Sequence, residues 1–242
     1  MTAKTVARAA VGCALGGAAL AATGYAAYAA NSWLRFGRPR RPQSLVERDP
    51  FLDIFIPRYD VAERHQISVD APAEVTLDAA LDLRLVDSPV VRALFKMREL
   101  SLGGKPPAVQ LRGGLRESAR ALGWGVLAED PHHKIVFGAV TKPWEPNPVF
   151  RAVAPEAFEA FAEPGFVKIV WTLRADPAGS DRCVFRTETR AIATDAEARS
   201  KFRRYWALFS PGVLLIRHLM LGPVKWEAER RVTTELEEVT AG

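Results

Sequence analysis

The residues best spaced for chemistry in this chain are charged rather than nucleophilic. Glu188 and Arg190 stand two apart in an alternating segment, so they share one face of a strand. Arg199 and Arg203 stand four apart in the helical segment that follows, so they share a helix face. Guanidinium groups gathered in this way can hold a carboxylate or an anionic headgroup by paired hydrogen bonds. The competing reading is an ion-pair network tying strand to helix on the outer surface. A carboxylate among arginines then stays ionised and catalytically quiet. The four histidines, His65, His132, His133 and His218, are scattered. His132 and His133 fall in a turn. His218 is alone on the last helix, from which it could reach an interior. Neither HExxH nor CxxC occurs, so no metal site is expected. There is no GxSxG or Walker-type motif. Gly113-Gly114 and Gly123-Trp124-Gly125 lack the ending and the strand–turn–helix context of a phosphate loop. The sequence assigns no catalytic residue and implies no cofactor.

What positions these side chains follows from length, charge and periodicity. The chain has 242 residues, 48% hydrophobic and 25% charged, enough for a substantial core and unlike a disordered or disulfide-built protein. The formal net charge is +5. Residues 1–48 alone contribute +6, leaving −1 for residues 49–242. The body is nearly neutral, so nucleic acid is not an expected partner. Cys13 and Cys183 fall one in each part, so no disulfide within the domain is possible.

Residues 9–33 form a run of 25 residues without charge, with Tyr25, Tyr28 and Trp33 at one end. About 20 such residues span a bilayer, and aromatics favour its interface. Gly12 and Gly16 have the spacing of closely packed membrane helices, which an Ala/Gly-rich stretch produces by chance. Lys4, Arg8 and Ala27-Tyr28-Ala29 also resemble a cleavable secretory signal. Cys13 lacks the leucine of a lipoprotein signal. Arg35, Arg38, Arg40 and Arg41 follow the apolar run, and such charge stays in the cytoplasm. The expected organisation is a single-pass anchor over 1–34, a basic proline-containing linker over 35–59, and a domain over 60–242 on the cytoplasmic side. Secretion after signal cleavage is the alternative.

Within the domain, residues 61–69 alternate as a strand does. Asp70 is a plausible N-cap for a helix with Pro72 in its first turn, and Ser88-Pro89 repeats the signal for a helix over 89–100. A loosely structured stretch follows. Segments 124–129 and 134–141 flank a turn at Asp130-Pro131-His132 and form a hairpin. After a short helix over 155–161, segments 166–174 and 182–193 form a second. In 185–191 the odd positions Phe185, Thr187, Thr189 and Ala191 make a small neutral face. Thr194 with Glu197 reads as a capping box for a long C-terminal helix carrying Phe202, Trp206 and Phe209. Ser210-Pro211 restarts this helix, Val213, Ile216, Leu219 and Met220 continue its apolar face, and Gly222-Pro223 kinks it.

A one-faced antiparallel sheet followed by an apolar helix is satisfied most simply by curling the sheet around the helix. The expected fold class is α+β: a helix-grip, with a curved antiparallel sheet wrapped around a long C-terminal helix, and an N-terminal hydrophobic helix. Trp124, Phe137, Trp171, Phe185, Thr187, Thr189, Phe202, Trp206 and Phe209 would line the space between them, although the aromatics equally suit a filled core. The order of elements resembles the START-like, or SRPBCC, superfamily, which includes lipid-transfer domains, the birch-pollen-allergen type and polyketide cyclases. More specifically, Phe137-Gly138, Pro143-Trp144, Gly165-Phe166-Val167-Lys168, Thr187-Glu188-Thr189-Arg190, Thr194-Asp195, Arg199, Phe202-Arg203-Arg204-Tyr205-Trp206, Ser210-Pro211-Gly212 and Ile216-Arg217 resemble a bacterial group of that superfamily without an assigned reaction. The resemblance covers roughly residues 60–231. It implies a hydrophobic small molecule or lipid bound between sheet and helix, beside the membrane reached through residues 9–33. A polyketide cyclase or dehydratase using the same cavity, and an interaction module using the arginine-rich face, are the alternatives.

Overall fold

The computed structural model describes residues 22–36, 49–105, 111 and 113–241. Five strands form one antiparallel sheet in the order β1-β5-β4-β3-β2: β1 Val61–Val69, β2 Gly125–Asp130, β3 Lys134–Thr141, β4 Val167–Pro177 and β5 Cys183–Ala193. Strands β2 to β5 are a meander, as consecutive hairpins dictate. Strand β1 joins it at the far edge, pairing with β5 from Val61↔Ala191 to Val69↔Cys183. The crossover between β1 and β2 carries α3 (Ala73–Asp82), α4 (Pro89–Leu102) and α5 (Leu115–Ala121). The chain ends in α7 (Ala196–Ala241), which packs with α3 on the concave face of the sheet. This is an α+β helix-grip fold.

Caps explain where the helices begin. Ser88 Oγ accepts the Val91 N–H at 3.4 Å, as Ser-Pro predicts. Asp70 is not a cap. Helix α3 starts at Ala73 behind Pro72, which leaves Asp70 outside the first turn, its N–H donating to Glu229 Oε1 of α7 at 2.9 Å. On α7 the cap is Asp195 rather than Thr194: Asp195 Oδ1 accepts the Ala198 N–H at 2.8 Å. Its second oxygen takes the Gly165 N–H, which frees Thr194 Oγ1 to bond the backbone of Phe166. The expected restart at Pro211 is absent. Pro211 and Pro223 lie inside one continuous helix. A proline forfeits one hydrogen bond, and here apolar contacts on both sides of each hold the helix to the sheet. The loosely structured stretch contains α5, too short to show a period.

The sheet is covered on its convex face as well. Residues 49–59, which the sequence assigns to the linker, carry α2 (Pro50–Phe55), capped by Asp49, whose Oδ1 accepts from Phe51 N at 3.0 Å. Leu52, Phe55, Ile56 and Tyr59 are buried with Val136, Phe158 and Val170. Phe158 comes from the short helix α6 (Pro155–Phe158). Each such side chain contributes roughly 1.5–3 kcal/mol on burial.

Residues 22–35 are helical (α1) and contact α7. Tyr25 Oη donates to the Leu208 carbonyl, and Tyr28 Oη bonds Ser210 Oγ at 2.9 Å. Arg203 Nε donates to the Trp33 carbonyl at 2.6 Å, and Phe36 meets Trp206 edge to face. Residues 9–21 of the expected anchor lie outside the described residues. By length and composition alone, α7 also contains a stretch apolar enough to cross a membrane, a test that the core helix of a globular domain passes too.

Candidate functional site

Odd-numbered residues of β1, β3, β4 and β5 form the concave face. Register sets Glu63 opposite Thr189 and Thr189 opposite Trp171. One step on, His65 lies opposite Thr187 and Thr187 opposite Leu173. The apolar residues on either side divide into two clusters. One contains Phe137, Trp171, Leu173 and Phe185 of the sheet with Met220, Leu221 and Val224 of α7. The other contains Val61, Val167 and Ala191 with Phe202 and Trp206 of α7, and Val213 packs against it. Between them runs a polar belt: Glu63 and His65 on β1, Thr187 and Thr189 on β5, and Arg217 on α7. Val213, Arg217 and Leu221 stand four apart, so the helix turns all three toward the sheet.

The belt is poorly satisfied. Arg217 Nη1 reaches Thr187 Oγ1 at 3.4 Å, a long contact, and its guanidinium carbon lies 4.9 Å from the Trp171 ring centroid. Among the described residues no carboxylate pairs with it. Burial lowers its pKa to about 10, so it remains charged at neutral pH. His65 Nε2 and Thr189 Oγ1 are buried without hydrogen-bond partners. Burial, then the charges of Arg217 and His218, hold His65 below its ordinary value of 6.5, so it is neutral at pH 7.

The aromatics expected to line one space belong to different neighbourhoods. Phe137 stacks on Trp171 at 4.3 Å between centroids, Trp124 meets Trp171 edge to face, and Phe185 is buried beside them. Phe202 and Trp206 lie in the other cluster. Phe209 stacks on Tyr205 at 5.0 Å and belongs to neither. Thr187 and Thr189 face the interior as expected.

The charged quartet does not assemble, because the sheet stands between its halves. Glu188 and Arg190 occupy even positions on the convex face. Arg190 is wholly buried, bonding Asp53 of α2 and, at 2.8 Å, Glu188, which also accepts from Arg64 Nε at 2.6 Å. Burial alone would lower the Arg190 pKa, but its hydrogen bond to Asp53 and the charge of Glu188 more than offset this and raise it. Arg199, at the start of α7, donates to buried Asp60 at 3.0 Å, and Arg203 is taken up by Trp33. The network is thus buried under α2 rather than spread over the outer surface.

With this geometry fixed, the comparisons can be stated. No family model matches the chain, and no curated protein matches it. Among solved structures it is similar to a point mutant of norcoclaurine synthase from Thalictrum flavum, at 11% identity over 71% of this chain and 95% of that one, with a TM-score of 0.34. It is similar to a conserved protein from Geobacillus kaustophilus, at 9% identity over 72% and 96%, with a TM-score of 0.31. It is also similar to a Streptomyces aromatase/cyclase, at 16% identity over 71% and 95%, with a TM-score of 0.26. At these TM-scores the fold rests on the chain's own topology instead.

Sequence reading missed Arg217 and His65. It turned the face through Ile216 and Leu219 inward and gave His218 access to the interior. In the structure His218 is exposed and Arg217 takes its place. The spacing Val213, Arg217, Leu221 was legible, but a charge in an apolar stripe reads as an outward residue. Apart from the belt, a cleft of about 270 Å³ lies at the first turn of α7, between Trp144, Gly165, Asp195 and Lys201. Asp195 is already committed to backbone N–H groups there, which gives that cleft a structural occupant.

Proposed function

We propose that the domain binds a hydrophobic small molecule or lipid between the concave face of its sheet and α7, while residues 9–33 hold it at a membrane. The observation that carries this reading is the belt: buried polar atoms without partners, set between two apolar clusters. Folded proteins leave few such atoms unpaired, and each costs about 1–3 kcal/mol. A bound molecule with an apolar body and a polar group accounts for both parts of the surface. Trp124, Phe137, Trp171 and Phe185 form one wall, Phe202 and Trp206 the other, and Thr187 and Thr189 the polar floor.

Helix α4 is the way in. Only Val91 of its residues is buried, and Phe95, Met97 and Leu100 are exposed. It is latched by Arg98, which donates to Tyr205 Oη at 3.3 Å and to the Pro143 carbonyl at 2.9 Å. The arginines at 35–41 favour a cytoplasmic domain. Secretion with cleavage after Ala29 would remove the contacts of Tyr25 and Tyr28 with α7.

Native mass spectrometry of the detergent-released full chain tests the reading. A co-purifying hydrophobic species is expected. Protein that carries none, and after delipidation takes up neither a fluorescent fatty acid nor the matching alcohol, would overturn it. One observation favours a second reading, an enzyme of the cyclase or dehydratase type. His65, neutral and without a partner on Nε2, has the state of a general base.

A further inference from the structure

Arg217 is the group on the concave face that a neutral ligand leaves unexplained. A hydroxyl or carbonyl would satisfy His65 Nε2 or Thr189 Oγ1. It would not offset a cation whose contacts among the described residues are one long bond to Thr187 and the face of Trp171. Cations drawn even partly out of water are retained where they are paired. Neighbouring ion pairs of this chain follow that rule: Arg190 has Asp53 and Glu188, and Arg199 has Asp60. Arg217 departs from it.

We infer that the belt is an anion subsite, in which Arg217 anchors the carboxylate of an amphipathic ligand whose apolar body lies against the Trp171 and Trp206 clusters. This rests on the reading of the grip as a hydrophobic-ligand site and names the class of ligand. Trp171 holds the guanidinium by its face, which leaves the N–H edge for the ligand. A planar fork matches a carboxylate with two parallel hydrogen bonds. The Thr187 and Thr189 hydroxyls lie within the same belt and can donate to the same head. Stoichiometry points to a monoanion. One guanidinium, in a belt that also holds the Glu63 carboxyl group, cancels at most one charge, whereas a phosphate monoester near neutral pH carries about −1.5 to −2 and would leave a larger surplus. His65 is uncharged and supplies no second cation.

The test uses the full chain in detergent micelles, titrated with cis-parinaric acid, the corresponding alcohol and a long-chain alkyl phosphate. Charge-assisted bonds predict that the acid binds about 10- to 100-fold more tightly than the alcohol. Arg217→Met should erase that ratio while leaving the alcohol's affinity in place, and Arg217→Lys should keep part of it. Arg217→Gln, with thermal melts of every variant, separates lost folding from lost recognition. Equal binding of acid and alcohol by the native protein overturns the anion subsite and leaves the hydrophobic site standing. So does an acid-to-alcohol ratio that survives Arg217→Met. Tighter binding of the alkyl phosphate overturns the monoanion assignment. If neither acid nor alcohol binds, the hydrophobic site falls, and the subsite with it.

Discussion

The guanidinium of Arg217 stands over the indole of Trp171, 4.9 Å from its centroid, and has no carboxylate beside it among the described residues. By itself this arrangement is a liability. Burial pulls the Arg217 pKa down to about 10, which disfavours the charged form by roughly 3 kcal/mol before a discount for the residue's partial exposure, and the ring returns about 0.5–1 kcal/mol. Arg217→Met should therefore stabilise the ligand-free protein by about 1 kcal/mol, raising its melting temperature by about 3 °C. A lower melting temperature would mark Arg217 as a structural residue.

Arg190 presents the opposite case. It is wholly buried, and its removal leaves Glu188 and Asp53 facing the space under α2. Arg190→Ala should cost about 3–5 kcal/mol by chemical denaturation. Arg190→Lys should recover only part, since an ammonium cannot bridge both carboxylates as the fork does. A loss below 1 kcal/mol would mean that α2 is not held by this triad.

His65 makes stability depend on pH. Its folded pKa lies below 6.5, so the unfolded chain binds the proton more readily between those values. Stability is complete above pH 6.5 and declines as pH falls through that window. Burial is the main cause, and the neighbouring charges are Arg217 and His218 on α7, with Glu63 on its own strand. His65→Phe should flatten the slope of unfolding free energy between pH 6.5 and 5. An unchanged slope would assign it to other groups.

Gly123 is fixed by its backbone and its surroundings together. Its φ is +95°, and a Cβ there would sit 2.2 Å from the Phe150 carbonyl oxygen. Gly123→Ala should cost about 2 kcal/mol or more and disturb the stacking of Trp124 on Phe150, 4.9 Å between centroids. Near-ultraviolet circular dichroism would register the change. A native spectrum at full stability would refute it.

The sequence was most informative where structure is local. The alternation of 61–69 marks β1 residue for residue, Ser88-Pro89 marks the start of α4, and Asp130-Pro131 marks the hairpin turn. It misled where distant parts decide. Arg190 reads as a surface charge because its burial depends on α2, more than a hundred residues earlier in the chain. Pro211 reads as a restart because the contacts that hold α7 together come from the sheet. The interior polar face was legible in Thr187 and Thr189. Its central cation was not, because periodicity assigns a face to Arg217 and charge argues against that face.

A sheet packed on both faces is constrained in how it can flex. Moving its strands would disturb the α2 core and the α7 core at once, whereas lifting α4 exposes one buried side chain, Val91. Traffic into the proposed site is therefore clocked by α4. The side chains that set its tempo, Arg98 and Tyr205, differ from those that set its affinity, and so residence time and selectivity can evolve separately.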